Sequence, residues 1–244
     1  MRQNRFKFRS NKVILIGDTH STSIVYDILN INIPDGSDVV HCGDSGLGFG
    51  NISYAIENAL SWLDRINKLC QAIDVMYYII RGNHDATYPK IWDSKWSNIV
   101  LVKDHEYVEF PNGKKAILVG GGISVDRCNR KQGVDYWYDE PTIPIDNVEK
   151  CDIMFSHDAP DYFNHPTNTL HVRFQWSIDK DPTLLSDCYT QRELMSSILE
   201  KSEAKTLVSG HFHNSKKEER NGVYYQCLDI NEIFEFDANK EYKL

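Results

Sequence analysis

Short apolar runs of strand length recur along the chain, and they keep stopping at glycine. Val13–Ile16 ends at Gly17-Asp18, "SDVVHCGD" breaks at Gly43, and Val75–Ile80 halts just before Gly82. Runs this short, bounded by glycine, predict buried strands. Between them, "SIVYDILN" over Ser23–Asn30 has its apolar residues at helical spacing. Ile56, Leu60, Leu63, Ile66 and Leu69 form one stripe of a longer helix, about Ser53–Ala72. Strand, helix, strand, helix, strand is the order of an α/β domain.

The middle of the chain is richer in β pattern. "EYVEF", "PNG" and "KKAILVGGG" predict a hairpin whose second strand runs into three glycines. "ISVDRCNRKQGVDYWYDEP" reads as a long surface loop, and "CDIMFSHDAP" as a strand entering a loop. Asp158–Asp187 carries few regular signals and reads as an insertion. A helix is expected from about Tyr189, capped upstream by Ser186 or Asp187. "AKTLVSGHFH" is the next strand, and "GVYYQCLDI" with "IFEFD" is expected to close the chain as a β-meander. No repeat or linker-like tract interrupts the pattern, so a single domain over residues 1–244 is expected.

Composition narrows the classes of function. The 244 residues are 41% hydrophobic and 25% charged, which is ordinary globular usage with enough chain for a core. A net charge of -8 argues against a long nucleic acid as partner, while a local metal-bearing site still suits a small phosphorylated molecule. Six scattered cysteines without a C-x-x-C pair argue against a zinc-thiolate cluster. The basic N-terminal stretch lacks a signal-peptide core, and no run approaches the roughly 18 apolar residues of a membrane helix. The expectation is a soluble, cytoplasmic protein with reduced thiols and no membrane partner. Oligomeric state is not legible.

The chemistry gathers where strands stop: Asp18-Thr19-His20, Gly43-Asp44, Gly82-Asn83-His84-Asp85, His157-Asp158 and Gly210-His211-Phe212-His213. His-x-His alone fits two solvent-facing turn residues as well as two ligands. Five such endings are another matter, because ligands of α/β sheets bind at the carboxyl ends of strands. Glycine before four of the five endings, Gly17, Gly43, Gly82 and Gly210, lets the backbone turn sharply. Mixed oxygen and imidazole donors suit manganese, iron or zinc.

In this order the motifs "GDTH", "GDSG", "GNHD", "SHDAP" and "GHFH" resemble the metallophosphoesterase superfamily, the calcineurin-like phosphoesterases. The resemblance spans Asp18 to His213. It implies an α/β fold, a β-sandwich flanked by helices in four αββα layers. It also implies two divalent metal ions, manganese foremost and iron or zinc as alternatives. Asp18, His20 and His213 would hold the first ion, Asn83, His157 and His211 the second, and Asp44 would bridge them. Such a pair, about 3.5–4 Å apart, readies a bridging hydroxide for in-line attack on phosphorus. His84, outside the ligand set, would donate to the phosphoryl oxygen or protonate the leaving group.

Two positions depart from the family pattern. Leu47 stands where a carboxylate often orients the catalytic histidine, so the partner of His84 is open, and Ser21 replaces a common glycine. The loop after "GGG" resembles one in some bacterial and phage members. There Arg127, Arg130 and Lys131 would meet phosphate oxygens, and Tyr136, Trp137 and Tyr138 would stack on a base or simply pack the loop. His41 reads as a core residue. His105, His165 and His171 match no motif, which makes a surface position the default. Asp158 is a candidate support for a ligating imidazole. The expected function is hydrolysis of a phosphomonoester or phosphodiester, with a small nucleotide favoured. A phosphoprotein Ser/Thr phosphatase is one alternative. A non-catalytic scaffold, as in one retromer subunit, would lack the ligand set and the histidine that this chain keeps.

Overall fold

Alternation within strands decides the layers. In β2 (Lys12–Ile16), Val13 and Leu15 enter one apolar core while Ile14 and Ile16 enter another. Val40 and Val39 of β3 (Asp38–His41) divide the same way, as do Tyr78 and Tyr77 of β4 (Met76–Ile79). A strand apolar on both sides must be covered on both. The computed structural model describes residues 6–50, 52–163 and 179–244. His165, His171 and the middle of the expected insertion lie outside the described residues.

Two sheets result. β2, β3 and β4 run parallel, β5 (Ile99–Leu101) extends one edge and β12 (Ile233–Asp237) closes the other, in the order β12-β2-β3-β4-β5. The seven-stranded sheet has the order β1-β6-β7-β8-β9-β11-β10. Its strands are β1 (Phe6–Lys7), β6 (Glu106–Glu109), β7 (Lys115–Val119), β8 (Ile153–Ser156), β9 (Thr206–Ser209), β10 (Lys216–Arg220) and β11 (Val223–Cys227). Phe8, Leu15, Val40, Leu118, Phe155, Val208 and Phe236 fill the space between the sheets. On the outer face of the five-stranded sheet lie α1 (Thr22–Asn32) and α2 (Ile52–Ala72), through Val25, Leu29, Leu63 and Ile66. The short α3 (Pro89–Trp92) adds Ile91 to that core. Met195, Ile198 and Leu199 of α4 (Leu184–Ser202) cover the other sheet over Ile117, Met154 and Leu207. This is the four-layer αββα sandwich that the sequence resemblance implies. No helix among the described residues is long and apolar enough to cross a membrane.

Three expectations are corrected. The closing segments do not form a meander: β11 pairs with β9 and β10, while β12 crosses to the other sheet and pairs antiparallel with β2. Burying Phe236 between the sheets drives that crossing. β10, "KKEER", is mostly polar and offers no apolar alternation for a pattern to reveal. Helix α4 starts before Ser186 and Asp187, with Thr183 at the N-cap, because the fully buried Leu184 anchors its first turn. His105 is buried rather than exposed, its ring nitrogen Nε2 bonded to the Ile143 carbonyl.

Candidate metal and phosphate site

Five strand ends meet at one edge of the sandwich: β2, β3 and β4 from one sheet, β8 and β9 from the other. Backbone bonds stitch them together. Thr19 and His20 both donate N–H to the Asp44 carbonyl, at 3.1 and 2.8 Å, and Gly210 donates to the His157 carbonyl at 3.1 Å. Crowding explains two of the glycines better than turning does. A Cβ on Gly82 would lie 2.1 Å from Asp44 Oδ1, and one on Gly210 would lie 2.2 Å from Asp18 Oδ1. Four non-glycine residues here, His20, Asp44, His211 and His213, hold φ between 49° and 70°. Each such residue costs about 1–3 kcal/mol, and strain of this kind gathers at functional sites.

The first group is Asp18, His20, Asp44 and His213, whose donor atoms all lie within 4.8 Å of one another. His213 Nε2 is 3.0 Å from Asp18 Oδ2 and 2.9 Å from His20 Nε2, and His20 Nδ1 is 3.6 Å from Asp44 Oδ2. The second group adjoins it. Asn83 Oδ1 is 2.9 Å from His157 Nε2, the His157 and His211 rings are 4.8 Å apart, and His157 Nε2 is 3.4 Å from Asp44 Oδ1. Asp44 therefore touches both groups. His157 Nδ1 faces the Cys42 carbonyl at 2.8 Å, so a carbonyl rather than Asp158 orients that ring. Asp158 is buried and accepts from the Ala159 N–H.

The electrostatics suit a cation. Burial pushes the Asp44 carboxyl well above its usual range, and the Asp18 and Asp85 carboxylates push it further. Burial also opposes ionisation of Asp18, but the His213 hydrogen bond, the His157 and His213 rings and the His211 N–H outweigh it and hold Asp18 below the usual range. Burial lowers His20 and His157, and takes His211 down to about 4, which leaves neutral imidazoles with lone pairs to offer. His20 Nδ1 is buried without a hydrogen-bond partner among the described residues. A buried acceptor of this kind, beside two buried carboxylates, is what a divalent ion satisfies. The donor set fits.

His84 stands beside these groups. Its backbone N–H donates to Asp44 Oδ1 at 2.7 Å, and its Nε2 lies 4.0 Å from Asp44 Oδ2. Arg130 Nη2 donates to that Nε2 at 2.8 Å, and Phe49 stacks on the ring at 4.7 Å. Burial, followed by the Arg130 charge, lowers His84 to about 2, so the ring is neutral here. Leu47 is core, and Asp85 organises the turn by accepting from Ser45, Leu47 and Gly82. Arg130 is the charged side chain bonded to the His84 ring, as a donor, while Leu47 stands in the core. Sequence reasoning found Arg130 but missed Phe49, which lies in a glycine-rich loop without a motif.

The two arginines are used differently. Arg127 spends its fork on Asp181 and Asp187, both at 2.5 Å, and ties the loop to the start of α4. The three loop aromatics also separate: Trp137 is buried in the core under Phe49 and Tyr88, Tyr136 is half-buried, and Tyr138 is exposed. A cavity of about 360 Å³ adjoins the site, walled by Phe49, Tyr54, Asn58 and Trp62 and floored by Gly46 and Gly48. Buried His41 bonds Tyr77 through Nδ1 at 2.6 Å, below the site.

A fold with carboxylates, imidazoles and a carboxamide at five strand ends defines a metallohydrolase architecture. Residues 11–215 match the family described as calcineurin-like phosphoesterase, and the chain belongs to that family. With the buried group around Asp18 and Asp44, the membership indicates a metal-dependent phosphoester hydrolase. One crystal structure aligns over 92% of this chain and 98% of its own, at 12% identity and a TM-score of 0.53, a likeness of fold alone. GAP50, the anchor in the inner membrane complex of Plasmodium, aligns over 89% of this chain and 71% of its own. It shares 9% identity at a TM-score of 0.39, too low to carry an argument. No curated protein matches the chain.

Proposed function

We propose that the protein hydrolyses a small phosphomonoester or phosphodiester at a two-ion centre, with a nucleotide as the favoured substrate. The observation that carries this reading is Asp44, which lies between two groups of donors, 3.6 Å from His20 and 3.4 Å from His157. Asp18, His20 and His213 hold one divalent ion in this proposal, and Asn83, His157 and His211 hold the other. Manganese is the first choice, and iron or zinc suit the same donors. Bound there, the ions supply a water activated for attack and neutralise charge on the phosphoryl group.

The remaining work falls to this chain's own side chains. Arg130 and His84 form the polar wall beside Asp44, and we assign them to the phosphoryl oxygens and the leaving group. With Nε2 bonded to Arg130, His84 meets an incoming substrate as a neutral ring, so that bond must exchange before His84 donates. Arg127 would have to release two carboxylates to contact a phosphate, and Arg130 is the better placed of the two. The nucleotide preference is supported by the aromatic walls of the adjoining cavity, whose size suits a base. Six free cysteines match a reducing, cytoplasmic setting.

A substrate panel on metal-stripped protein, with each metal added back, tests the reading. Bis-p-nitrophenyl phosphate or its monoester should turn over with Mn(II), and purine nucleotides should compete. His84→Ala should keep both ions and lose most turnover. Full activity in that variant would remove His84 from the mechanism.

A further inference from the structure

One hydroxyl joins the metal side of the site to the arginine side. Ser124, in the loop after β7, is buried, and its Oγ lies 3.0 Å from Asn83 Nδ2 and 3.1 Å from Arg130 Nη1. Glu140, also buried, accepts from the Ser124 N–H at 2.6 Å and from Oγ at 2.8 Å. A serine hydroxyl has one proton and two lone pairs. The Asn83 amide nitrogen and the Arg130 guanidinium are donors only, so they take both lone pairs. The proton then points at Glu140 whenever that carboxylate is ionised.

The direction of that proton reaches the metal group. Because Oγ can only accept on the Asn83 side, the carboxamide turns its nitrogen to Ser124 and its oxygen to His157, 2.9 Å away. The same oxygen atom of Ser124 steadies Arg130, whose other nitrogen reaches His84. We propose that Glu140, acting through Ser124, is a positioning residue that sets the polarity of the Asn83 carboxamide so that its oxygen faces the cation. This rests on Asn83 serving as a ligand.

Glutamine at position 140 breaks the relay without changing its shape. Its oxygen can still take the Ser124 N–H, but its NH₂ then faces Oγ. The hydroxyl must reverse and aim its proton at Asn83 Nδ2, donor against donor. Relief comes from flipping the amide, which turns NH₂ toward the cation. Asn83→Asp repairs the reversed relay, since a carboxylate accepts the proton that glutamine has redirected. Glu140→Gln is therefore harmful in the wild-type background and helpful in the Asn83→Asp background. Attraction between charges predicts the opposite for the second case, because Glu140→Gln removes a negative charge near the cation.

The test is Mn(II) binding followed by counting free ion with electron paramagnetic resonance, on wild type, Glu140→Gln, Asn83→Asp and the double variant. Thermal unfolding in chelator serves as the folding check. Wild type should bind two ions. Glu140→Gln should keep one and bind the other about 10- to 100-fold more weakly, the range for groups that orient a ligand. The double variant should bind the second ion more tightly than Asn83→Asp alone. A Glu140→Gln effect equal in both backgrounds, or absent from both, overturns the proposal. Should Glu140→Gln fail to fold, Ser124→Ala replaces it. That variant should weaken the second ion by a similar factor, and unchanged affinity overturns the proposal. If wild type binds fewer than two ions, or Asn83→Ala keeps both, the ligand reading itself fails and the proposal falls with it.

Discussion

Gly122→Ala separates the two groups of donors. A Cβ at this position would lie 3.1 Å from His157 Cδ2, 3.3 Å from Asn83 Oδ1 and 3.4 Å from His211 Cε1. Its φ is outside the left-handed region, so alanine brings no backbone strain and the effect is purely one of space. The two nearest neighbours cannot yield freely, because His157 is held by the Cys42 carbonyl and Asn83 by Ser124, while His211 Cε1 stands at the edge of ordinary contact. Overpacking of this size costs about 1–3 kcal/mol, or roughly a 5- to 150-fold change in an equilibrium constant. Asp18, His20 and His213 are not among the three neighbours closest to that Cβ. In a Mn(II) titration by calorimetry, the variant should bind one ion within about twofold of wild type and the second about 5- to 150-fold more weakly. Gly82→Ala supplies the contrast, since its Cβ would fall on Asp44 and should disturb both ions. Two wild-type affinities in Gly122→Ala, or equal weakening of both ions, would refute the division into two groups.

Three further expectations follow from the charges. Asp44→Asn should raise the melting temperature in chelator, because a buried acid held above its usual range costs stability once pH exceeds its unfolded value. It should also abolish the rise that Mn(II) produces, and a lower melting point with an intact Mn(II) shift would contradict both the burden and the bridge. Arg127→Ala removes the charge that pairs Asp181 and Asp187 and should cost about 1–3 kcal/mol, near 2–12 °C in melting temperature, with KM little changed. A tenfold rise in KM without loss of stability would instead make Arg127 a substrate contact. Burial raises Glu140 from 4.5 to about 7 against the pull of its two Ser124 bonds and the Arg130 and Arg127 charges. The folded state then binds the extra proton between those values. Metal-free wild type should therefore lose stability relative to Glu140→Gln as pH climbs from about 4.5 to 7, by at most ~3 kcal/mol. Denaturant curves at pH 5 and pH 7.5 with the same separation would contradict it.

Much of this molecule was legible in the residues alone. The parallel strands β2, β3, β4, β8 and β9 are short apolar runs ended by glycine or polar residues, and burial on both faces demands the apolar runs. Their motifs identified the family because metal ligation restricts which side chains serve and where. The boundaries that failed were those set by distant contacts. β12 leaves its expected partner to bury Phe236 between sheets, α4 starts early to bury Leu184, and His105 is drawn inward by a carbonyl from another loop.

Within the site, the sequence determined the chemistry of the donors, because Asp, His and Asn carry their lone pairs wherever they are placed. Only the tertiary structure decided which donors share a group, that Arg127 is tied to Asp181 and Asp187 while Arg130 reaches His84, and that Ser124 bonds both Asn83 and Glu140. Those outcomes depend on distances of about 3 Å between residues far apart in the chain, and hydrogen bonds and ion pairs lose their strength beyond that range. Local pattern carries no record of them.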